Sequence, residues 1–119
     1  MTTHYKLNGK KVEVCRHLLE WADWFEKADR VVKQTTIRPD LTVSTVFLGI
    51  DHQFDDGPPL LFETMIFTNG NGGECWRYST WDEAEKGHDH AVAEAKLDEA
   101  EAKADRMMAE FNAFSEGEY

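Results

Sequence analysis

The chain has 119 residues and a formal net charge of −10, from 13 basic and 23 acidic side chains. This length predicts a single domain, residues 1–119, that can hold a hydrophobic core without disulfides or metals. The acidic balance argues against direct nucleic-acid binding, because contact with phosphates needs a basic surface. No apolar run reaches the roughly 18 residues of a membrane span, and no signal peptide opens the chain. We therefore expect a cytoplasmic protein without a membrane partner.

The charge is unevenly distributed along the chain. Residues 1–80 carry nine basic and eleven acidic side chains, whereas residues 81–119 carry four and twelve. An acidic segment of this kind is usually the solvated face of a helix. The alternative is that it mimics DNA and binds a basic protein. Cys15 and Cys75 lie far apart in the sequence, and neither belongs to a metal-binding Cys-x-x-Cys motif. We therefore expect both to be free thiols in a reducing compartment.

The first 40 residues predict a β-hairpin, a helix and a connector. Asn8-Gly9 separates two alternating runs, which is the strongest short hairpin signal. From about residue 16 to residue 33 apolar side chains recur every three or four positions, which predicts an amphipathic helix packed on a sheet. We expect residues 34–40 to be a connector, because Pro39 blocks strand pairing at its own position.

Three runs predict an antiparallel sheet: residues 41–50, 60–67 and 74–78. They are rich in β-branched and aromatic side chains, which fit a pleated surface. The second run is apolar on both faces, so a partner subunit could cover the outer face. Asn and Gly residues at 69–73 suit a hairpin turn, which would place Glu63 opposite Arg77 as an ion pair.

The polar segment between the first two strands, residues 51–59, is the most unusual stretch of the sequence. Asp51-His52 follows directly after the predicted strand, Asp55-Asp56-Gly57 predicts a turn, and Pro58-Pro59 stiffens the approach to the next strand. An acid beside a histidine could serve general base chemistry. No nucleophile accompanies the pair, so a capping, turn-forming or subunit-contact role is favoured over a catalytic one.

A long helix over residues 81–114 completes the predicted fold, with a frayed tail at residues 115–119. Thr80 and Glu83 form a capping-box signature at its start. Further along, apolar residues recur at alternating spacings of three and four, as in a coiled coil: Leu97, Ala100, Ala104, Met107, Phe111 and Phe114. The helix is longer than a small core needs, so we expect it to pair with a second copy of the chain. The fold class is α+β: a small antiparallel sheet, one amphipathic helix packed on it and a long C-terminal helix.

The sequence contains no motif for catalysis, a metal or a cofactor. His88 and His90 are two residues apart on a helix and point to different faces, so they cannot share an ion unless the helix breaks near Gly87. No phosphate-binding glycine loop is present. We therefore predict a non-catalytic protein without a metal or cofactor. A nucleotide ligand could still stack on Trp76 and place a phosphate on Arg77, with Arg38 and His52 as further contacts.

Four stretches resemble a family of small phage-encoded proteins. Residues 19–26 read LEWADWFE, residues 44–52 read STVFLGIDH, residues 58–65 read PPLLFETM, and residues 77–84 read RYSTWDEA. The likeness covers residues 5 to about 92 and leaves out the acidic tail. Within it the chain resembles the Thoeris anti-defence sponges, oligomeric phage proteins that sequester cyclic ADP-ribose-type signals without degrading them.

That resemblance implies a phage counter-defence protein in the host cytoplasm. It would bind a nucleotide-derived cyclic second messenger as a homo-oligomer, with pockets at subunit interfaces. No ligand residue of the sponges is carried over to this sequence. The alternative is an acidic inhibitor, DNA mimic or scaffold that acts on a host or phage protein through its C-terminal helix.

Overall fold

The structure, a computed structural model, describes residues 2–53 and 56–116. A two-stranded antiparallel sheet pairs β1 with β2, and a four-stranded antiparallel sheet has the order β3-β4-β5-β6. This architecture confirms the predicted α+β class. The elements are β1 (His4–Asn8), β2 (Lys11–Cys15), α1 (Leu18–Lys27), β3 (Val31–Arg38), β4 (Leu41–Phe47), β5 (Phe62–Thr68), β6 (Asn71–Tyr78) and α2 (Trp81–Glu116).

The two helices lie on different sheets. The predicted hairpin at Asn8-Gly9 is confirmed, with Asn8 paired to Lys11 in the β1–β2 register. α1 packs on this hairpin, and Trp21 Nε1 donates a hydrogen bond of 2.8 Å to the carbonyl of Tyr5. α2 crosses all four strands of the larger sheet and therefore covers the main core.

The prediction of a helix to residue 33 and a connector at residues 34–40 is wrong. α1 ends at Lys27, and Val31–Arg38 forms strand β3, which pairs with β4. β3 is rich in Val, Thr and Ile, and such β-branched residues favour strands. Pro39 lies in the turn after the last pair, Arg38 with Leu41, so its missing N–H costs no ladder hydrogen bond.

The three predicted strands are confirmed as β4, β5 and β6, and their alternation decides which side chains meet α2. Along β4, residues 41, 43, 45 and 47 are buried and the residues between them are half-buried. The β4–β5 register pairs Thr45 with Thr64 and Phe47 with Phe62. The second face carries half-buried Val46, Met65 and other side chains, and its cover by a partner subunit stays a prediction.

The hairpin between β5 and β6 follows the sequence prediction. Asn69 and Gly70 occupy the turn with φ angles of 53° and 79°, the left-handed region that a tight hairpin turn requires. The resulting register places Glu63 opposite Arg77, and Arg77 Nε lies 3.0 Å from Glu63 Oε2. The predicted ion pair is therefore confirmed.

The core has two adjoining parts. Phe47, Leu61, Phe62 and Ala84 form the first, where the two sheets and the start of α2 meet. Val43, Ala91 and Ala95 form the second, between β4 and the middle of α2. Small alanines on α2 let the helix lie close to the sheet.

Of the two hydrogen bonds of the predicted capping box, the one from the Glu83 backbone N–H is confirmed, and the Glu83 carboxylate accepts from the Thr80 hydroxyl instead of the Thr80 backbone N–H. The backbone N–H of Glu83 donates to Thr80 Oγ1 at 3.2 Å, and the Thr80 hydroxyl donates to Glu83 Oε1 at 2.9 Å. α2 then runs without interruption to Glu116, so it includes the start of the predicted frayed tail, and residues 117–119 lie outside the described part of the chain. No helix in the described ranges is both long and apolar enough to cross a membrane.

Gly87 lies in α2 directly beneath the ring of Tyr78, and a Cβ at this position would overlap that ring. We expect Gly87→Ala to lower the free energy of unfolding by about 1 kcal/mol, because overpacking costs more than alanine adds to a helix. Urea denaturation measures this change. In a Tyr78→Ala background the same substitution should stabilise the protein, and stabilisation in the wild-type background would contradict the prediction.

Candidate functional site

A cleft of about 360 Å³ opens between α2 and one end of the larger sheet. Its volume falls within the range of small-molecule sites. The turn from β3 to β4 forms one wall, the β5–β6 end forms the floor, and the middle of α2 forms the roof. The lining residues are Arg38, Leu41, Ile66, Thr68, Gly73, Glu74, Ala95, Asp98 and Glu99.

Arg38 is the positively charged group of this cleft. Its Nη1 lies 3.1 Å from Glu99 Oε2 on α2, and its Nε lies 2.9 Å from Asp40 Oδ1. The Nε contact is not aligned as a hydrogen bond, so this buried atom has no hydrogen-bond acceptor within the described residues. Glu99 also lies 3.7 Å from Arg106 Nη2. Arg38 is therefore held in place and keeps an unused donor.

The rest of the lining combines carboxylates with apolar side chains. Glu74, Asp98 and Glu99 are hydrogen-bond acceptors, and Leu41, Ile66 and Ala95 form an apolar surface. One guanidinium can bind one anionic group, while carboxylates accept hydrogen bonds from hydroxyl and amino groups. The cleft thus suits a ligand with one anionic group and several donors, rather than a polyanion.

The structure places the four predicted ligand contacts in three different regions. Trp76 packs against the core part that contains Ala95, so it lies beside the Arg38 cleft. Arg77, the next residue on β6, points to the other face of the sheet, where it pairs with Glu63. His52 lies beyond the far end of β4 from Arg38, a separation of about 20 Å for a strand of this length.

The Asp51 side chain organises the loop that carries His52. Asp51 Oδ1 accepts hydrogen bonds from the backbone N–H groups of Gln53, at 2.8 Å, and Leu60, at 2.9 Å. This confirms the turn-forming role favoured from the sequence. The turn predicted at Asp55-Asp56-Gly57 falls partly outside the described residues, because residues 54 and 55 are not included.

A buried polar network was not predicted. His88 is fully buried, with Nδ1 2.7 Å from Thr45 Oγ1 and Nε2 2.8 Å from Thr35 Oγ1. Thr45 Oγ1 lies 2.5 Å from Thr64 Oγ1. The sequence signal was the spacing 84, 88, 91 and 95, which places His88 among alanines on the core face of α2.

The surroundings of His88 favour its neutral form. Burial lowers the pKa of His88, the nearby Lys33 ammonium lowers it further, and Asp89 opposes them. Lys33 Nζ itself lies 2.7 Å from Asp89 Oδ1. A neutral imidazole donates one hydrogen bond and accepts one, which matches its two threonine partners. Because His88 is closed to solvent, its role is to join α2 to the sheet.

His90 lies on the opposite side of α2 from His88, as predicted. It is exposed, and its Nε2 lies 3.2 Å from Glu94 Oε1. Within residues 2–53 and 56–116, no three His, Cys, Asp or Glu side chains are grouped so that they could hold a metal ion.

The C-terminal half of α2 forms a second candidate surface. We call Leu97, Ala100, Ala104, Met107 and Phe111 the α2 seam; the side chain of Phe114, the sixth residue of the predicted repeat, lies outside the described part of the structure. Leu97, Met107 and Phe111 are 64%, 60% and 63% exposed. All described side chains from residue 103 to residue 113 are exposed, because the helix continues past the sheet in a molecule 74 Å long. Exposed apolar side chains at this density are typical of interaction surfaces.

Comparisons with known proteins do not add to this description. No protein-family model, curated protein or solved structure matches the chain. The Arg38 cleft and the α2 seam are therefore the features of the chain that bear on its function.

Proposed function

We propose that this chain is a non-catalytic binding protein that sequesters a small nucleotide-derived ligand and works as a homo-oligomer joined through α2. The observation that supports it most is the Arg38 cleft, where a guanidinium, carboxylate acceptors and an apolar surface meet. The resemblance to phage anti-defence sponges narrows the ligand to a cyclic ADP-ribose-type messenger and the setting to the host cytoplasm.

The chemistry of such a ligand matches the cleft. One phosphate of its diphosphate group would bind the Arg38 guanidinium in exchange for Glu99, which keeps Arg106 as a second partner. Its ribose hydroxyls would donate to Glu74 or Asp98, as ribose hydroxyls donate to carboxylates in dinucleotide sites. Its base would pack on the apolar surface beside Trp76. These contacts bind the ligand and do not supply a nucleophile.

The α2 seam supports the homo-oligomer. Its three large apolar side chains are each about three-fifths exposed, and burial of such side chains contributes roughly 1.5–3 kcal/mol each. Association through the seam would remove them from water. It would also place more than one cleft in the same particle.

Arg38→Gln is expected to weaken binding of a cyclic ADP-ribose isomer or cyclic nucleotide about 10- to 100-fold, because a charge-assisted hydrogen bond is lost. Arg77→Gln is the matched control: both arginines are paired with a carboxylate, and their side chains are 36% and 35% exposed. A thermal-shift screen identifies the ligand, since saturation at a hundred times Kd stabilises by about 2.7 kcal/mol. Titration calorimetry then compares the variants.

The outcomes separate the possible sites. Loss of binding in Arg77→Gln with normal binding in Arg38→Gln would move the site to the other face of the sheet. Mass spectrometry of the ligand recovered after heating tests sequestration, which requires an intact ligand. A degraded ligand would indicate an enzyme instead of a sequestering protein. No stabilisation by any ligand of the panel would contradict the proposal.

The second candidate function is an acidic inhibitor or DNA mimic that binds a basic protein. The supporting observation is that the segment from residue 81 to residue 119 has eight more acidic than basic side chains, and all described side chains from residue 103 to residue 113 are exposed. A complex held by these charges should weaken steeply as salt is raised, whereas binding in the Arg38 cleft should change less.

A further inference from the structure

We infer that the α2 seam pairs with the same seam of a second copy in the antiparallel orientation. This inference rests on the proposed assembly through α2 and specifies its partner, register and direction. Three observations support it: the direction of the seam, the order of its large and small side chains, and the distribution of charge along the chain.

The seam faces away from the sheet. The fully buried side chains of α2 are Ala84, His88, Ala91 and Ala95, and they mark the middle of the helix face that lies on the sheet. At about 100° per residue, the centre of the seam lies about 170° around the helix from this stripe. A second helix on the seam would therefore meet no strand of its partner, and the core would stay intact.

The seam is self-complementary when two copies run in opposite directions. After Leu97, the seam holds the small Ala100 and Ala104 and then the large Met107 and Phe111. Antiparallel pairing places Phe111 against the partner's Ala100 and Met107 against the partner's Ala104, so each of the four central layers has one large and one small side chain, and Leu97 lies beyond them. Parallel pairing would stack alanine on alanine and Phe111 on the partner's Phe111. Close packing favours layers of even volume.

The charges also favour the antiparallel orientation. Lys103 and Glu110 flank the seam, and the antiparallel register brings Lys103 next to the partner's Glu110, twice per dimer. A parallel dimer would gain similar ion pairs between Lys96 and the partner's Glu101. These local ion pairs therefore do not by themselves decide the orientation. Residues 1–96 of each subunit carry 11 basic and 16 acidic side chains, a net charge of −5, and antiparallel pairing keeps these two acidic parts at opposite ends of the particle. The remaining negative charge lies on the paired helix segments in either orientation.

The size of the seam sets the strength of the pair. Residues 97–111 span about 21 Å of helix, which gives an interface smaller than the roughly 1,200 Å² of stable complexes. We therefore expect a reversible dimer that forms with micromolar affinity. An isologous contact of this kind closes on itself as a two-fold dimer and does not grow into a fibre.

Analytical ultracentrifugation tests the seam. The wild-type protein should change from monomer to dimer as its concentration rises through the micromolar range. Phe111→Glu should raise the dissociation constant at least about 100-fold, because two carboxylates would enter the apolar layers. Ala109→Glu introduces the same charge on the other side of the helix and should leave dimerisation unchanged. Circular dichroism checks that both variants stay helical.

Distance measurement between spin labels tests the direction. A label at Ala93→Cys, in a Cys75→Ser background, would be about 37 Å from its partner in the antiparallel dimer and below about 20 Å in a parallel one.

The results distinguish the inference from the proposal on which it rests. A protein that stays monomeric at all concentrations would overturn both the assembly and its direction. A dimer with the short distance would overturn the antiparallel orientation alone. A dimer that Phe111→Glu leaves intact would overturn the seam as the contact. Ligand binding by a monomer would leave sequestration in place without the dimer.

Discussion

His88→Ala is expected to lower the free energy of unfolding by about 2–4 kcal/mol. The side chain is fully buried and holds two hydroxyl partners, Thr35 on β3 and Thr45 on β4. Alanine would leave a cavity between α2 and the sheet and would deprive both hydroxyls of a hydrogen-bond partner. Urea denaturation followed by circular dichroism measures the loss.

The matched control is His90→Ala, two residues further along the same helix. His90 has a side chain that is 72% exposed and contacts Glu94 on the surface, so its removal should change the free energy of unfolding by less than about 0.5 kcal/mol. Equal effects of the two substitutions would show that the network between His88 and the threonines does not contribute to stability.

The lowered pKa of His88 also predicts how stability depends on pH. The unfolded chain binds a proton on this histidine near pH 6.5, its ordinary pKa, while the folded chain does so only at lower pH. The contribution of neutral His88 to stability is therefore complete above pH 6.5 and decreases as pH falls through and below that value. The difference in unfolding free energy between wild type and His88→Ala should shrink between about pH 7.5 and pH 5.5. A constant difference would contradict a lowered pKa.

Phe47→Ala is expected to cost about 3–5 kcal/mol of unfolding free energy, the largest loss among the single substitutions considered. The Phe47 ring is fully buried. Its centroid lies 5.9 Å from that of Trp24 on α1 and 5.2 Å from that of Phe62 on β5. Phe62 in turn lies 6.2 Å from Trp81 at the start of α2. Phe47 therefore joins α1, together with the β1–β2 hairpin on which α1 packs, to the larger sheet. Its removal weakens the packing on both sides of this contact.

Guanidinium chloride denaturation, followed by circular dichroism and by tryptophan fluorescence, measures the effect. The two signals should coincide in the wild-type protein. In Phe47→Ala the fluorescence change should come first, because Trp24 loses its contact with the sheet. Leu19→Ala is the control, since that side chain is 86% exposed and its loss should change stability by less than about 0.5 kcal/mol. A loss below about 1 kcal/mol for Phe47→Ala would contradict its position at the centre of the core.

Several features were predictable because their causes are local in sequence. The Asn8-Gly9 and Asn69-Gly70 turns set the two hairpins, since few other residues adopt the left-handed backbone that such turns need. Thr80 and Glu83 marked the start of α2. The Glu63–Arg77 pair followed from counting residues outward from the second turn. Each inference used a short window and a strong conformational preference.

The prediction of helix and connector where the structure has strand β3 shows where local sequence patterns stop being informative. Val32 fits the apolar helical stripe of α1, and it also packs against the Phe47 core from a strand. Pairing with β4 decides between helix and strand for Val32, and β4 lies outside the segment in which the helical spacing is read. Tertiary contacts commonly override such periodicity.

The candidate site was less predictable than the fold. Arg38 was named from its position in a presumed loop, but its partner Glu99 lies 61 residues further along the chain. The adjacent residues Trp76 and Arg77 were assigned to one site, although neighbours on a strand face opposite ways. By itself, the sequence determined the fold class, the two tight turns and the long helix with its apolar seam, because these depend on backbone preference and spacing. The Arg38 cleft and the His88 network were decided by the tertiary structure, because packing α2 across the sheet brings distant side chains within hydrogen-bonding distance.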